Sequence, residues 1–214
     1  MQLAGGSLLD AQARFMRFLE KDGRLKRAIE FLPADDEIAA RRQAGQGLAT
    51  PEAAVLLAYA KIWLNDELVA STLPDDPWVA TSLVRYFPAA LRERYAPYMH
   101  KHALRREIIA THVLNSMLNR VGSTFVHRLG ETTGAKAHDE VRAYLLAREI
   151  FGLVPLWIAI EALDNKVDDA VQSAMLIDTS GQLERATVWF LRSRRLADDM
   201  AATIAYFQPN VAAL

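Results

Sequence analysis

Apolar residues along this chain recur at three- and four-residue spacing almost from end to end, the period of amphipathic helices. Strict alternation with β-branched enrichment between hairpin turns, the mark of a strand, is missing from the sequence. Helix start and stop signals divide the pattern. Ser7 is positioned to cap "SLLDAQARFMRFLEKDG", which stops at Gly23. "RLKRAIEFL" follows as a short helix ending before Pro33, and Asp35 or Asp36 opens "DEIAARRQ". In "TPEAAVLLAYAKIWLNDELVA", Thr50 is the expected N-cap with Pro51 at N1 and Glu52 in the first turn. Asp76 and Pro77 repeat the signal. "WVATSLVRYF" and "PAALRERYAPYMHKH" are short helices separated by Pro88 and Pro97. A long helix spans Arg106 to Gly122. Ser123 is the expected cap of the next, which stops near Gly134. Three more segments, from "HDEVRAYLLAREIFG" to "KVDDAVQSAMLID", continue the pattern. At "DTSGQ" two readings stay open: a capping box of Thr179 and Gln182 starting a new helix, or one helix running through Gly181. "LADDMAATIAYF" is the last helix, ending before Pro209. The expected architecture is all-α: an irregular multi-helix bundle of about ten helices joined by short Pro/Gly loops. The loop "RRQAGQGLAT" divides a small N-terminal helical unit, 1–47, from a main bundle, 48–214.

One helix departs from the usual division of labour. In "REIIATHVLNSMLNRVG", Leu104, Val113, Leu114, Met117, Leu118 and Val121 share one broad side. His112, Asn115, Ser116 and Asn119 share the other, flanked by Arg105, Arg106 and Arg120. A solvated face is better served by Lys and Glu, which suit both helix and water. Amides and a hydroxyl are poor helix formers. The pattern points to a polar interface with a charged rim, or an internal network. Arg105, His112, Asn115, Ser116, Asn119 and Arg120 are therefore the candidate site residues. A small-ligand effector site near His112 and Arg105 is a further reading, and plain exposure to water the simplest.

Composition narrows the chemistry. Hydrophobic residues make up 51% of 214, ample for a core, and the net charge is −1, too small to draw the whole chain to nucleic acid or an anionic membrane. There is no Cys, which excludes disulfides and thiolate chemistry and fits a reducing cytoplasm. The longest apolar run, "FGLVPLWIAI", is about half a bilayer span. The opening "MQLAGGSLLD" lacks the basic and apolar regions of a signal peptide and resembles a cut in a loop of a longer chain. Charge is unevenly spread. Arg85 to Arg128 carries eight Lys/Arg against two Glu, an excess of +6 that leaves −7 for the rest. Such a run is most simply a solvated face. It also suits docking onto an acidic protein surface, and nucleic acid is the weakest reading.

No motif carries catalysis. "GETTG", Gly130 to Gly134, is not a dinucleotide fingerprint and follows a helix rather than a strand, so a helix C-terminal turn accounts for it. His100 and His102 in "HKH", and Glu107 with His112, have the wrong spacing for a helical metal site. Ser123 after a glycine lacks a nucleophile-elbow context. No catalytic, cofactor-binding or metal-ligating residue is assigned.

Several long blocks do resemble a known family. "GLATPEAAVLLAYAKIWLNDELVASTLPDDPW", "YFPAALRERYAPYMHKHALRREIIATHVLNSMLNRVGSTFVHRL", "YLLAREIF", "LWIAIEALDNKV" and "RATVWFLR" are similar to the C-terminal helical region of the large bacterial NAD-specific glutamate dehydrogenases. The resemblance runs from about Leu9 nearly to the end. It implies a longer cytoplasmic homo-oligomer that oxidises L-glutamate with NAD to 2-oxoglutarate, ammonium and NADH. It also implies that the Rossmann domain and the catalytic lysine and aspartate lie upstream. On that reading this segment binds no cofactor itself. It packs against the catalytic domains of the same chain and neighbouring subunits, supporting assembly or regulation, with no nucleic acid or membrane partner. The alternative from the residues alone is a free-standing helical adaptor that uses the basic Arg85–Arg128 face.

Overall fold

The computed structural model describes residues 5–193 and 199–212. Among them are twelve α-helices, one 3-10 turn and no strand. The helices are α1 (Gly5–Lys21), α2 (Asp35–Gln43), α3 (Thr50–Ala70), α4 (Pro77–Ala80), α5 (Ser82–Tyr86), α6 (Ala89–Met99), α7 (Arg105–Val121), α8 (Phe125–Thr133), α9 (Ala137–Ile150), α10 (Leu153–Glu161), α11 (Asp169–Arg192) and α12 (Met200–Ala212). The chain is all-α, as its periodicity requires.

Helix α9 is the axis. Glu140 through Ala147 are buried without interruption, so the helix is covered all round. Helices α3, α8, α10, α11 and α12 surround it, and α3 and α5 pack against α7. No single helix among the described residues is long and apolar enough to cross a membrane. Segments 1–47 and 48–214 share one core: the Phe15 ring of α1 lies 5.5 Å from Trp63 in α3 and 5.3 Å from His127 in α8.

Local chemistry accounts for some helix ends. Asp76 accepts hydrogen bonds from the Trp78 and Val79 amides at 2.9 and 3.3 Å, with Pro77 at N1. Gly122 and Gly134 end α7 and α8 at φ 83 and 70, a backbone region that costs Gly nothing. Other ends moved. Helix α1 is already formed at Gly5, so Ser7 lies inside it. Helix α3 begins one residue early: Ala49 is its N-cap, and Glu52 accepts from the Ala49 amide at 2.7 Å. Thr124, not Ser123, precedes α8, and neither side chain caps it.

The expected helix "RLKRAIEFL" is a set of turns ending in Phe31 at φ 54. Arg27 is drawn to Glu20 and Asp35, at 2.8 and 2.9 Å, and the chain turns between them. "WVATSLVRYF" is split into α4 and α5 at Thr81. Pro97 and Pro209 lie inside the last turns of α6 and α12 rather than beyond them; each leaves one carbonyl without its helical donor, at Glu93 and Ala205, and both of those residues are exposed to water. Through Gly181 the chain is one helix, α11, because Leu183, Thr187 and Phe190 continue a buried face beyond the glycine.

Candidate functional site

The two sides of α7 have different fates. Ile109, Ala110, Val113, Leu114, Met117 and Leu118 are buried. Leu104, expected among them, precedes the helix and is 55% exposed. On the other side His112 and Arg120 are half-buried, while Asn115, Ser116 and Asn119 are exposed. These five residues line one open cleft of about 400 Å³. A second cleft, of about 250 Å³, lies between α3 and α7 and shares Asn115 with the first.

Little of the polar side is satisfied from within. Arg148 of α9 donates to Ser116 Oγ at 3.4 Å, and the side chains of Asn115 and Asn119 find no protein partner among the described residues. The internal network anticipated from sequence thus reduces to one weak bond. An outward-facing strip is what remains.

The strip's ends are tied down. Arg120 donates to Glu161 Oε1 of α10 at 2.5 Å and lies 5.0 Å from the Trp157 ring. Arg105 donates to Asp75 Oδ1 at 2.6 Å; Arg106 bonds the same carboxylate and the carbonyls of Val69 and Ser71. Arg105 is therefore engaged at the start of α7, not beside His112 in a shared pocket. Burial first, then Arg85 and Arg148, hold the His112 imidazole below its ordinary pKa, so it is neutral at pH 7. Burial likewise pushes the Tyr144 hydroxyl up to about 12, although Arg148 and Arg120 oppose the shift.

Arg85, Arg148 and Glu161 complete the strip, and each comes from a different helix. Arg85 already headed the basic segment of the sequence; Arg148 and Glu161 reach the strip through packing that no local pattern announces. The remaining motifs resolve simply. "GETTG" is the last turn of α8 and its left-handed stop. Beneath it lies the carboxyl of Glu140, only 3.2 Å from where a Gly130 Cβ would stand, and a helix C-terminus presents carbonyl oxygens rather than amides, so this end does not suit a phosphate. His100 and His102 are exposed, and His102 Nδ1 accepts from the Leu104 amide at 3.1 Å. No three His, Asp or Glu side chains converge on a metal-sized space among the described residues.

Fold and strip together define a class: an all-helical module organised around a buried central helix, with a polar face left open beside it. Comparison with known proteins supplies the family. The chain belongs to the glutamate dehydrogenase C-terminal family, whose model matches residues 45–214. It is 46% identical over 201 residues to the NAD-specific glutamate dehydrogenase of Halomonas elongata, a match covering 94% of this chain. It is 43% identical over 201 residues to the enzyme of that name from Pseudomonas aeruginosa, again 94% of this chain. With the one from Mycobacterium tuberculosis it is 38% identical over 208 residues, 97% of this chain. The chain spans 12%, 12% and 13% of the lengths of these relatives.

Proposed function

We propose that this chain is the C-terminal helical part of an NAD-dependent glutamate dehydrogenase, a cytoplasmic homo-oligomer that converts L-glutamate and NAD to 2-oxoglutarate, ammonium and NADH. The observation that carries the reading is near-complete coverage of this chain by relatives bearing that name, at up to 46% identity. The chemistry belongs to parts of the longer protein outside these residues. The segment serves assembly, packing its open α7 face against the catalytic domains or a neighbouring subunit. Exposed amides without internal partners support this, because such residues lower helix propensity and gain something only when another surface meets them.

The test uses the full-length protein and the 214-residue chain side by side. The full-length protein should reduce NAD in the presence of L-glutamate. The 214-residue chain should show neither turnover nor saturable NAD binding by calorimetry at micromolar concentration. Loss of glutamate-dependent NAD reduction in the full-length protein, or NAD binding by the chain alone, would overturn the assignment.

A further inference from the structure

Cations from three helices meet at the open cleft of α7. His112, Ser116 and Asn119 follow one another along the helix at i, i+4 and i+7, with Asn115 and Arg120 beside them, and these five line about 400 Å³. Sites for small molecules occupy about 300–1,000 Å³. Arg148 of α9 reaches the wall of the cleft, where its Nη1 donates to Ser116 Oγ at 3.4 Å.

Arg148 is poorly matched from within. Its side chain is 13% exposed, and Glu149 Oε2 stands 3.9 Å from it, beyond hydrogen-bonding distance. It lies by the Tyr144 hydroxyl, and its Nε is buried with no hydrogen-bond partner. A guanidinium has five N–H donors, and holding them largely out of water without good acceptors is costly.

The charge around the cleft is unbalanced as well. Arg85 of α5 is exposed and forms no ion pair among the described residues. It is close enough to His112 to oppose protonation of the imidazole, as Arg148 is. Arg120, at the far end, is neutralised by Glu161 at 2.5 Å. Positive charge is therefore left over at the His112–Ser116 half. The amides of Asn115 and Asn119 and the Ser116 hydroxyl add donors along the same wall. A neutral ligand would leave Arg85 and Arg148 uncompensated. A carboxylate or phosphate group would accept from the planar fork of a guanidinium with two oxygens at once.

We infer that the α7 cleft is a binding site for a small molecule bearing a carboxylate or phosphate group. The oxyanion lies between Arg148 and Arg85, beside His112. Ser116, Asn115 and Asn119 hydrogen-bond the rest of the ligand. Every one of these residues belongs to this chain, so the inference stands apart from the assembly reading of the same helix.

NMR of the 214-residue chain tests it, with succinate and inorganic phosphate as probes and sodium chloride holding the ionic strength constant. At least one probe should produce saturable shifts of the Ser116 amide and of the Asn115 and Asn119 side-chain amides. A response to succinate assigns a carboxylate ligand, and a response to phosphate assigns a phosphate or its ester. An anion beside the imidazole stabilises its charged form, so the His112 pKa should rise on saturation. Arg85→Ala and Arg148→Gln should each weaken binding on the order of tenfold. Circular dichroism checks that both stay helical, and the exposed position of Arg85 keeps the test open if the Arg148 variant unfolds. Arg94→Ala removes an exposed cation of α6 that does not line the cleft and should leave binding unchanged. No saturable shift with either probe, an Arg85→Ala chain that binds like wild type, or an Arg94→Ala chain weakened to the same extent would each overturn the site.

Discussion

Glu140 shows most clearly how one side chain can be set by its surroundings. It is 1% exposed in the central helix, its Oε1 finds no hydrogen-bond partner, and desolvation, helped by neighbouring Asp139, raises its pKa from 4.5 to about 8. Below about pH 4.5 the carboxyl is protonated in both folded and unfolded chain. Between 4.5 and about 8 the unfolded chain ionises it while the folded protein keeps its proton, so stability falls as pH rises; above that window the slope ends. Urea midpoints measured across this range should decline, and Glu140→Gln should flatten the decline. Gly130 makes the room: a Cβ there would stand 3.2 Å from Glu140 Oε1, so Gly130→Ala should lose its helix-propensity gain to crowding. Gly181 is the opposite case. A Cβ there meets only the flexible end of Arg185, at 3.5 Å, and Gly181→Ala should raise stability by about 0.5–1 kcal/mol in urea unfolding. Asn115→Ala decides the fate of the strip. In the isolated monomer it should stabilise by up to about 0.7 kcal/mol through propensity, while in the assembled enzyme it should weaken association.

Among the elements, the single turn α4 depends on one residue. Asp76 caps it and, 6% exposed, also lies 3.5 Å from Arg142 Nη1 of the buried α9. Asp76→Ala should cost about 2–4 kcal/mol in chemical denaturation, the lost cap adding to a disrupted buried pair. Asp76→Asn keeps an acceptor for the Trp78 amide and should cost less. The cap was legible because Asp-Pro before an apolar run is a local signal. The Arg142 contact was not, since 66 positions separate the two residues. The same distinction explains the lost helix at Arg24–Leu32. Its apolar spacing was real, but the Arg27 pairs with Glu20 and Asp35 made turns the better solution.

At the scale of the molecule, one core joins α1 to the rest. Surface pairs within the chain, such as Arg14 with Glu131 at 2.8 Å, are exposed and contribute at most about 1 kcal/mol each. Salt should therefore change the unfolding midpoint of the chain little, which urea denaturation across one salt series measures.

The sequence by itself determined the helical class, the stops at Gly122 and Gly134, the Asp76 cap and the family resemblance. Each of these rests on neighbours within a few positions or on long matching blocks. Tertiary structure alone decided that α9 is the covered axis, that α11 runs through Gly181, and that Asn115, Ser116 and Asn119 stay open. Helical periodicity assigns residues to faces, but which face is buried depends on which other helix fills the space beside it. Among the described residues no helix packs over the amides of α7; of that strip Arg148 reaches only Ser116.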